Sequence, residues 1–429
     1  MKKRTLSLYL IISFLSFCFG VASFSCFIKI KWLFFAFLIL AIIFIIFPKF
    51  FKLKILGFFC FLLGFFYAYL WYPPLPLKGE IFYLKGIVDG YPQKTNFRIL
   101  CPLMTKEGRV LLSIPLSKKE NNFLCLPGDS FYFEGKKNPK LGSKERFVEK
   151  YRAKVNVTKI KKEPTPKDFL SKKLLLLRFL FLIREKSSTS IKELMREKEA
   201  SFANGLILGQ KEDFSFEFKE KISKTGTTHL IALSGFNISI FIFAFFDTLR
   251  YISLSLSFFV TSFFIIAFVL MTGASASVVR AAIMGIMLIA GKVLGRQTDN
   301  LLVLSFSLFL MTIFSPYSLI YDLGLQFSFL AFCGLAYLSP LIKEKIHFLG
   351  FLKEGLADTL GAIIFVLPLN IYYFGNISLI SPLANVLIIS AIPLISYLVI
   401  LQVIFNFFSH FLAQIFSYIS QVFCNIVYG

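Results

Sequence analysis

Apolar runs of membrane-crossing length fill both ends of the chain, and a polar, strand-like stretch lies between them. Leu6–Ile28, Trp32–Phe47 and Ile55–Tyr72 carry no charged residue. About twenty apolar residues of helix cross a hydrocarbon core of about 30 Å, so these read as three spans, the second short. Pro73-Pro74-Leu75-Pro76 ends the third. Tyr251–Val279 is uncharged, and so are the last 71 residues, Thr359–Gly429.

Between these ends the period changes. Glu80–Asp89, Phe97–Cys101, Arg109–Pro115, Ser130–Glu134 and Tyr151–Ile160 alternate aromatic or β-branched residues with polar ones, and Gly, Pro and Asn separate them. Five short strands in about 85 residues suit an OB-type barrel, a fold often used on nucleic acids, or another small β domain. Asp168–Lys186 reads as an interfacial helix along the membrane. Ser188–Ala200 reads as a second, charged helix with a capping-box start at Ser190 and Glu193. The expected fold class is a mainly α polytopic membrane protein with an inserted small extracytoplasmic β-barrel (OB-like) domain. Its regions are 1–77 (N-terminal spans), 78–162 (β domain), 163–228 (interfacial and amphipathic helices) and 229–429 (membrane domain).

Composition agrees with a lipid-embedded chain. Of 429 residues, 56% are hydrophobic, with a mean hydropathy of +0.73. The N-terminal Met1-Lys2-Lys3-Arg4 and the run after it resemble a secretory signal. The run is longer than a signal core and no small-residue cleavage site follows, so it reads as a retained span. Lys2, Lys3 and Arg4, with Lys49, Lys52 and Lys54, place the N-terminus and the second loop in the cytoplasm, which delivers residues 78–162 to the outside. Lys29 and Lys31 oppose that orientation. The formal charge of +23 and the 56 Phe read as composition bias rather than as a base-stacking signal. The β region holds nineteen Lys and Arg against eight Asp and Glu. Such a basic surface suits a phosphate backbone, anionic lipid headgroups or plain solvation.

Five of the seven Cys lie in apolar runs; Cys101 and Cys125 lie in the β region, where an outside location permits a disulfide. No CxxC, no Cys/His cluster and three widely spaced His argue against a metal site, and no cofactor is expected. Ser234 has no base at helical spacing, since His229 is five residues away. There is no Gly-x-Ser-x-Gly elbow and no phosphate-binding Walker loop, so no enzyme activity is expected.

Polar residues inside the apolar runs carry the functional argument. Arg280 follows 29 uncharged residues, and an arginine at membrane depth normally faces a cavity or a partner. It would touch a phosphate, cap a helix end or pair with an acid such as Asp322. His229, Ser234, Gly235 and Asn237 interrupt a helix from Leu230 to Phe246; Thr272–Ser277 and Ser381-Pro382 with Asn385 are further interruptions. Such breaks line water or are buried in protein, and small residues also serve helix packing.

Four ordered segments resemble a known family. Thr225-Gly-Thr-Thr-His-Leu-Ile-Ala-Leu-Ser-Gly-Phe-Asn237 carries a His-Leu-x-Ala-x-Ser-Gly pattern. Thr272-Gly-Ala-Ser-Ala-Ser-Val-Val-Arg-Ala-Ala-Ile-Met284 follows about forty residues later. Asp322-Leu-Gly-Leu-Gln-Phe-Ser-Phe-Leu330 and Ile377-Ser-Leu-Ile-Ser-Pro-Leu-Ala-Asn385 complete the order, with Asn138-Pro139 as a weaker cue. Together they resemble the ComEC competence family over nearly the whole chain. The resemblance implies a multi-pass protein of the cytoplasmic membrane that moves single-stranded DNA inward during natural transformation. It implies that Ser275, Ser277, Arg280, Asp322, Gln326, Ser328 and Asn385 join His229, Ser234, Gly235 and Asn237 along the DNA path. Its implied partners are single-stranded DNA, membrane lipids, an outer DNA receptor and a cytoplasmic ATPase or helicase as energy source. Many members add a metallo-β-lactamase-like domain; this sequence stops at Gly429 without a His-x-His-x-Asp-His pattern, so strand degradation is not expected of it. The competing readings are a transporter of another envelope-related solute, a membrane enzyme on a lipid-linked substrate and a structural scaffold. Internal repeats would favour the first, and paired carboxylates the second.

Overall fold

The structure is a computed structural model. It describes residues 2–29, 51–71, 77, 81–94, 98–115, 125–138, 149–163, 172–210, 214, 216–225, 235–345, 352–375 and 380–428. The second expected span, Trp32–Phe47, lies outside them.

Two helices open the chain, α1 (Lys2–Lys29) and α2 (Phe51–Leu70). They run parallel and close: a Cβ on Gly20 would collide with the Phe61 carbonyl, and one on Gly64 with the Phe17 carbonyl. In lipid, where apolar surface gains nothing by leaving the solvent, such small-residue contacts let dispersion hold helices together. A further helix, α9 below, also runs parallel to α1, with Phe14 stacked on Phe309 at 4.7 Å and Cys18 Sγ 3.4 Å from Thr312 Oγ1. Ser7 donates to Asp299 Oδ2 at one end of this group. At the other, Tyr317 donates to the Ala68 carbonyl. These contacts define two ends of the bundle, and the β domain follows α2 at the Ala68 end.

That domain has strands β1 (Ile81–Val88), β2 (Gln93–Lys94), β3 (Arg98–Thr105), β4 (Gly108–Pro115), β5 (Ser130–Lys137) and β6 (Ala153–Glu163). Order β1-β5-β6-β4-β3 closes on itself through β1–β3, with β4 and β6 parallel and the other barrel pairs antiparallel. The result is a small closed five-stranded, OB-like barrel, with β2 as a short addition at β3. Alternate residues such as Leu103, Val110, Leu112, Phe131, Phe133 and Val155 fill it. Cys101 and Cys125 are joined in a disulfide, their Cα atoms 6.7 Å apart.

The helical remainder comprises α3 (Lys172–Leu194), α4 (Glu197–Leu208), α5 (Phe216–Thr225), α6 (Gly235–Phe241), α7 (Leu254–Met271), α8 (Ala276–Val293), α9 (Asn300–Phe314) and α10 (Ser318–Tyr321). It continues with α11 (Leu323–Cys333), α12 (Ser339–Lys345), α13 (Leu352–Phe374), α14 (Ser381–Asn406) and α15 (His410–Tyr428). Wide π turns, Ile242–Asp247 and Gly334–Leu338, extend α6 and join α11 to α12. Among the described residues five helical stretches are long and apolar enough to cross a membrane: Ser7–Phe24, Leu254–Met271, Ala276–Val293, Leu323–Lys345 and Lys353–Phe374. The chain is a multi-pass membrane protein.

Three expectations change. The interfacial helix runs on as α3 through the expected start of the charged helix, because Ser187 and Thr189 turn their hydroxyls back onto the Ile183 and Glu185 carbonyls; the break falls instead at Met195-Arg196, and Glu197–Ala200 begin α4. Ser190 therefore caps nothing; it lies buried and accepts from Asn406 Nδ2 at 2.8 Å. Thr272–Ser277 is the connection between α7 and α8 plus the start of α8, and Ser381-Pro382 begins α14 rather than breaking a helix. Pro368 and Pro393 stand inside α13 and α14.

Barrel and membrane helices are locked together. Asp129, buried at the start of β5, accepts from Lys162 Nζ at 2.7 Å and from Arg178 Nη1 of α3 at 3.2 Å. Lys150 Nζ stands 3.3 Å from the centre of the Trp71 ring at the end of α2. The disulfide closes a separation of 24 residues, which should contribute about 3 kcal/mol. Cys101→Ser is expected to lower the thermal midpoint of the purified protein and to make the remaining transition insensitive to reductant; an unchanged midpoint would remove the disulfide from the account of the barrel's stability.

Candidate functional site

The connection between α7 and α8 touches the barrel. Helix α7 ends in a tight C-terminal turn: Ala274 N–H donates to the Val269 carbonyl and Gly273 N–H to that of Leu270. Gly273 (φ 84°) and Ala274 (φ 53°) are both left-handed. Glycine adopts that conformation freely, whereas alanine is strained there by roughly 1 kcal/mol. Tyr91, just after β1, stands over this turn; its Cδ2 lies 3.7 Å from where a side chain on Gly273 would begin. The same ring stacks on Phe181 of α3 at 5.5 Å, and its hydroxyl donates to the Leu177 carbonyl. Burial pushes the Tyr91 phenol up to about 12, only partly opposed by Arg184, so it stays a neutral donor. On the barrel Tyr91 also walls a cleft of about 70 Å³ with Gln93, Leu100, Pro102, Glu149 and Tyr151. Arg109 packs against Tyr151 at 5.0 Å and bonds Asp89 at 2.6 Å. Burial alone would lower the Arg109 pKa, but Tyr151 and Asp89 outweigh it and leave it raised, a fixed positive charge beside the cleft.

Below the turn, Arg280 is the fifth residue of α8, about 7 Å along the axis from the helix start at 1.5 Å per residue. Its neighbours are soft and apolar. Nη1 lies 3.7 Å from Met284 Sδ, and the guanidinium sits 5.8 Å from the centres of both Phe329 and Phe332 on α11. Its Nε is buried without a partner. Aromatic faces attract a cation through their quadrupole, by up to about 2 kcal/mol when desolvated. They supply no counter-charge, and Asp322, considered above as a partner, makes no ion pair with Arg280. An arginine at the centre of a membrane helix costs about 3 kcal/mol on insertion scales, and Arg280, a turn or so from the start of α8, bears part of that cost.

The other expected path residues are placed as follows. His229 and Ser234 lie outside the described residues. Gly235 meets α8 at Ala281, and Gly285 on α8 receives Ile238 and Ile242, so α6 runs alongside α8. Asn237 is buried and donates to the Leu206 carbonyl at 2.9 Å, pinning α6 to α4. Asp322 caps α11 through Gly324 N–H at 3.0 Å. Gln326 Nε2 donates to the Leu319 and Ile320 carbonyls, holding α10 against α11. Ser275 is exposed, while Ser277 and Ser328 are half-buried. Asn385 is buried and donates to Ser381 Oγ at 3.3 Å, with its Oδ1 unpartnered. The hydrogen bonds described for Asn237, Asp322 and Gln326 go to backbone, whereas Arg280 Nη1 meets a thioether.

Sequence reasoning missed several groups. Asn204 and Gln402 are fully buried with both amide atoms unpartnered, and the Ser396 hydroxyl is likewise. Each such group costs about 1–3 kcal/mol unless something polar reaches it. Gln402 was detectable as a lone amide in an apolar helix. Asn204 was hidden in a short helix of mixed composition. Tyr91, Phe329 and Phe332 had no signal among 56 Phe and 17 Tyr.

Fold and site together define a multi-pass helical membrane protein with an OB-like barrel that touches the turn before α8, the helix that carries Arg280. Residues 206–429 match the competence protein family, and the chain belongs to that family, the ComEC competence family indicated by its four motifs. It is 27% identical over 203 residues to ComE operon protein 3 of Bacillus subtilis (strain 168), a match that covers 46% of this chain and 25% of that protein. The matched stretch is therefore a quarter of that relative's length. No solved structure matches the chain.

The strained turn gives a direct test. Ala274→Gly should raise stability by up to about 1 kcal/mol by releasing the left-handed alanine, and Gly273→Ala should lower it by a similar amount. Thermal unfolding in detergent reads both; equal and small effects would mean that the turn is not held as described.

Proposed function

We propose that this protein is the passage by which single-stranded DNA crosses the cytoplasmic membrane during natural transformation. The observation that carries the proposal is Arg280: a guanidinium within an apolar span, faced by Phe329, Phe332 and Met284, with no carboxylate paired to it among the described residues. A polyanion passing along α8 supplies the counter-charge these neighbours lack. The barrel's basic surface and the Tyr91–Gly273 contact support a route from barrel to α8, with the strand guided first by exposed lysines and then by Arg280. The unpartnered buried amides Asn204 on α4 and Gln402 on α14 support a polar interior among the helices.

The orientation follows from charge. Lys2, Lys3 and Arg4 share an end of the bundle with the last turn of α8, which carries Lys292, and the α8–α9 connection, which carries Arg296. Basic residues gather on the cytoplasmic side, so this end faces the cytoplasm and the barrel faces outward. An outer receptor delivers the strand, and a cytoplasmic ATPase or helicase draws it in.

A strain lacking this chain is expected to bind labelled DNA at its surface yet import none. Arg280→Ala, made at normal abundance, should reduce imported DNA by at least roughly tenfold, the effect of losing one desolvated cation, and Arg280→Lys should restore part of it. Wild-type import in Arg280→Ala would confine the arginine to a structural role.

A further inference from the structure

We propose that a cleft at the far end of α8, away from the barrel, binds the phosphodiester headgroup of an anionic glycerophospholipid. The cleft measures about 520 Å³ and lies between the π turn of α6 and the end of α8. Its apolar lining is Ile242, Leu288 and Ile289, and its polar lining is Lys292, Arg296, Gln297 and Thr298. The site stands apart from the DNA reading and does not depend on it.

Local structure explains why two cations gather there. Helix α8 closes with Arg296 N–H donating to the Gly291 carbonyl and Gly295 N–H to that of Lys292. Gly295 takes the left-handed conformation, φ 60°, that this closure requires. The turn folds the chain back and brings Arg296 beside Lys292. It also ties up the last carbonyls, so the helix end offers little negative charge of its own to the cleft. Lys292 Nζ is steadied 5.4 Å from the centre of the buried Phe246 ring, within the π turn. Single π turns inside α-helices recur at functional sites, and this one forms a wall of the cleft.

Charge complementarity selects the occupant. Nearby charges are already matched: Asp247 pairs with Arg250 at 3.5 Å, and Asp299 accepts from Leu301 N–H and from Ser7. Lys292 and Arg296 make no ion pair among the described residues. Two cations and an aliphatic lining suit a headgroup phosphate with an acyl chain running down the wall. The exposed Leu288 and Leu294 carry the same apolar surface outward, where lipid lies. Basic pockets between membrane helices take anionic headgroups on this physical basis. A nucleic-acid strand matches the cations but not the apolar lining.

The test uses the full chain in mild detergent, with retained lipid counted by native mass spectrometry. Phosphatidylglycerol should be retained in preference to phosphatidylcholine, and K292A/R296A should lower that preference by roughly tenfold or more. K292R/R296K should keep it. Leu288→Trp, which fills the cleft and leaves both charges, should also lose it; this variant decides the matter if K292A/R296A does not survive extraction. Equal retention of the two lipids by the native chain would overturn the proposal, as would an unchanged preference in the variants. If K292A/R296A instead weakened binding of a single-stranded oligonucleotide and left lipid retention intact, the cations would belong to the strand and the lipid site would be wrong.

Discussion

A charge cannot rest in hydrocarbon without something to solvate it, and in this protein the groups around Arg280 are arranged by that constraint. The guanidinium lies one turn or so below the start of α8, and the groups facing it are two rings and a thioether. Those groups lower the cost of the cation without neutralising it. A carboxylate in their place would give a closed ion pair with nothing left for a ligand. The arrangement therefore leaves a positive charge about a turn along α8 from the connection that touches the barrel.

The elements nearby serve that placement. Glycines at 235 and 285 let α6 lie close along α8. Asn237, Asp322 and Gln326 each make a hydrogen bond to backbone that fastens a helix end. The barrel is held over the same place by Asp129, which bridges β6 and α3, and by Tyr91, wedged between α3 and the α7–α8 turn. Stability of the barrel and geometry at Arg280 are thus joined through a few side chains.

How much of this was legible in the sequence depended on the range of the interaction. Strands of the barrel alternate cleanly because one face is packed, and the Cys101–Cys125 pair stood out because both lie in the polar region. The apolar spans announced themselves by length. The boundary between α3 and α4 was placed too early because a run of serines and a threonine looks like a helix end; back-bonding to i−4 carbonyls absorbed it, and the break falls at Met195-Arg196. The strained turn at Gly273 and Ala274 looked like a break in a span and proved to be a link between two helices. Tyr91 was invisible, since its role comes from contacts with residues 86 or more positions away. Arg280 was legible as costly, but its aromatic neighbours were not, among so many phenylalanines.

The most direct measurement is photocrosslinking during uptake of labelled single-stranded DNA. A photoreactive residue replaces Ser277, one turn from Arg280 on α8, or Phe263, which points out of the bundle with 66% of its surface exposed. Strong crosslinks to the incoming strand from position 277 and none from 263 are the predicted result. No crosslink at 277 in cells that import DNA, or equal labelling at both positions, would contradict a strand passing beside Arg280.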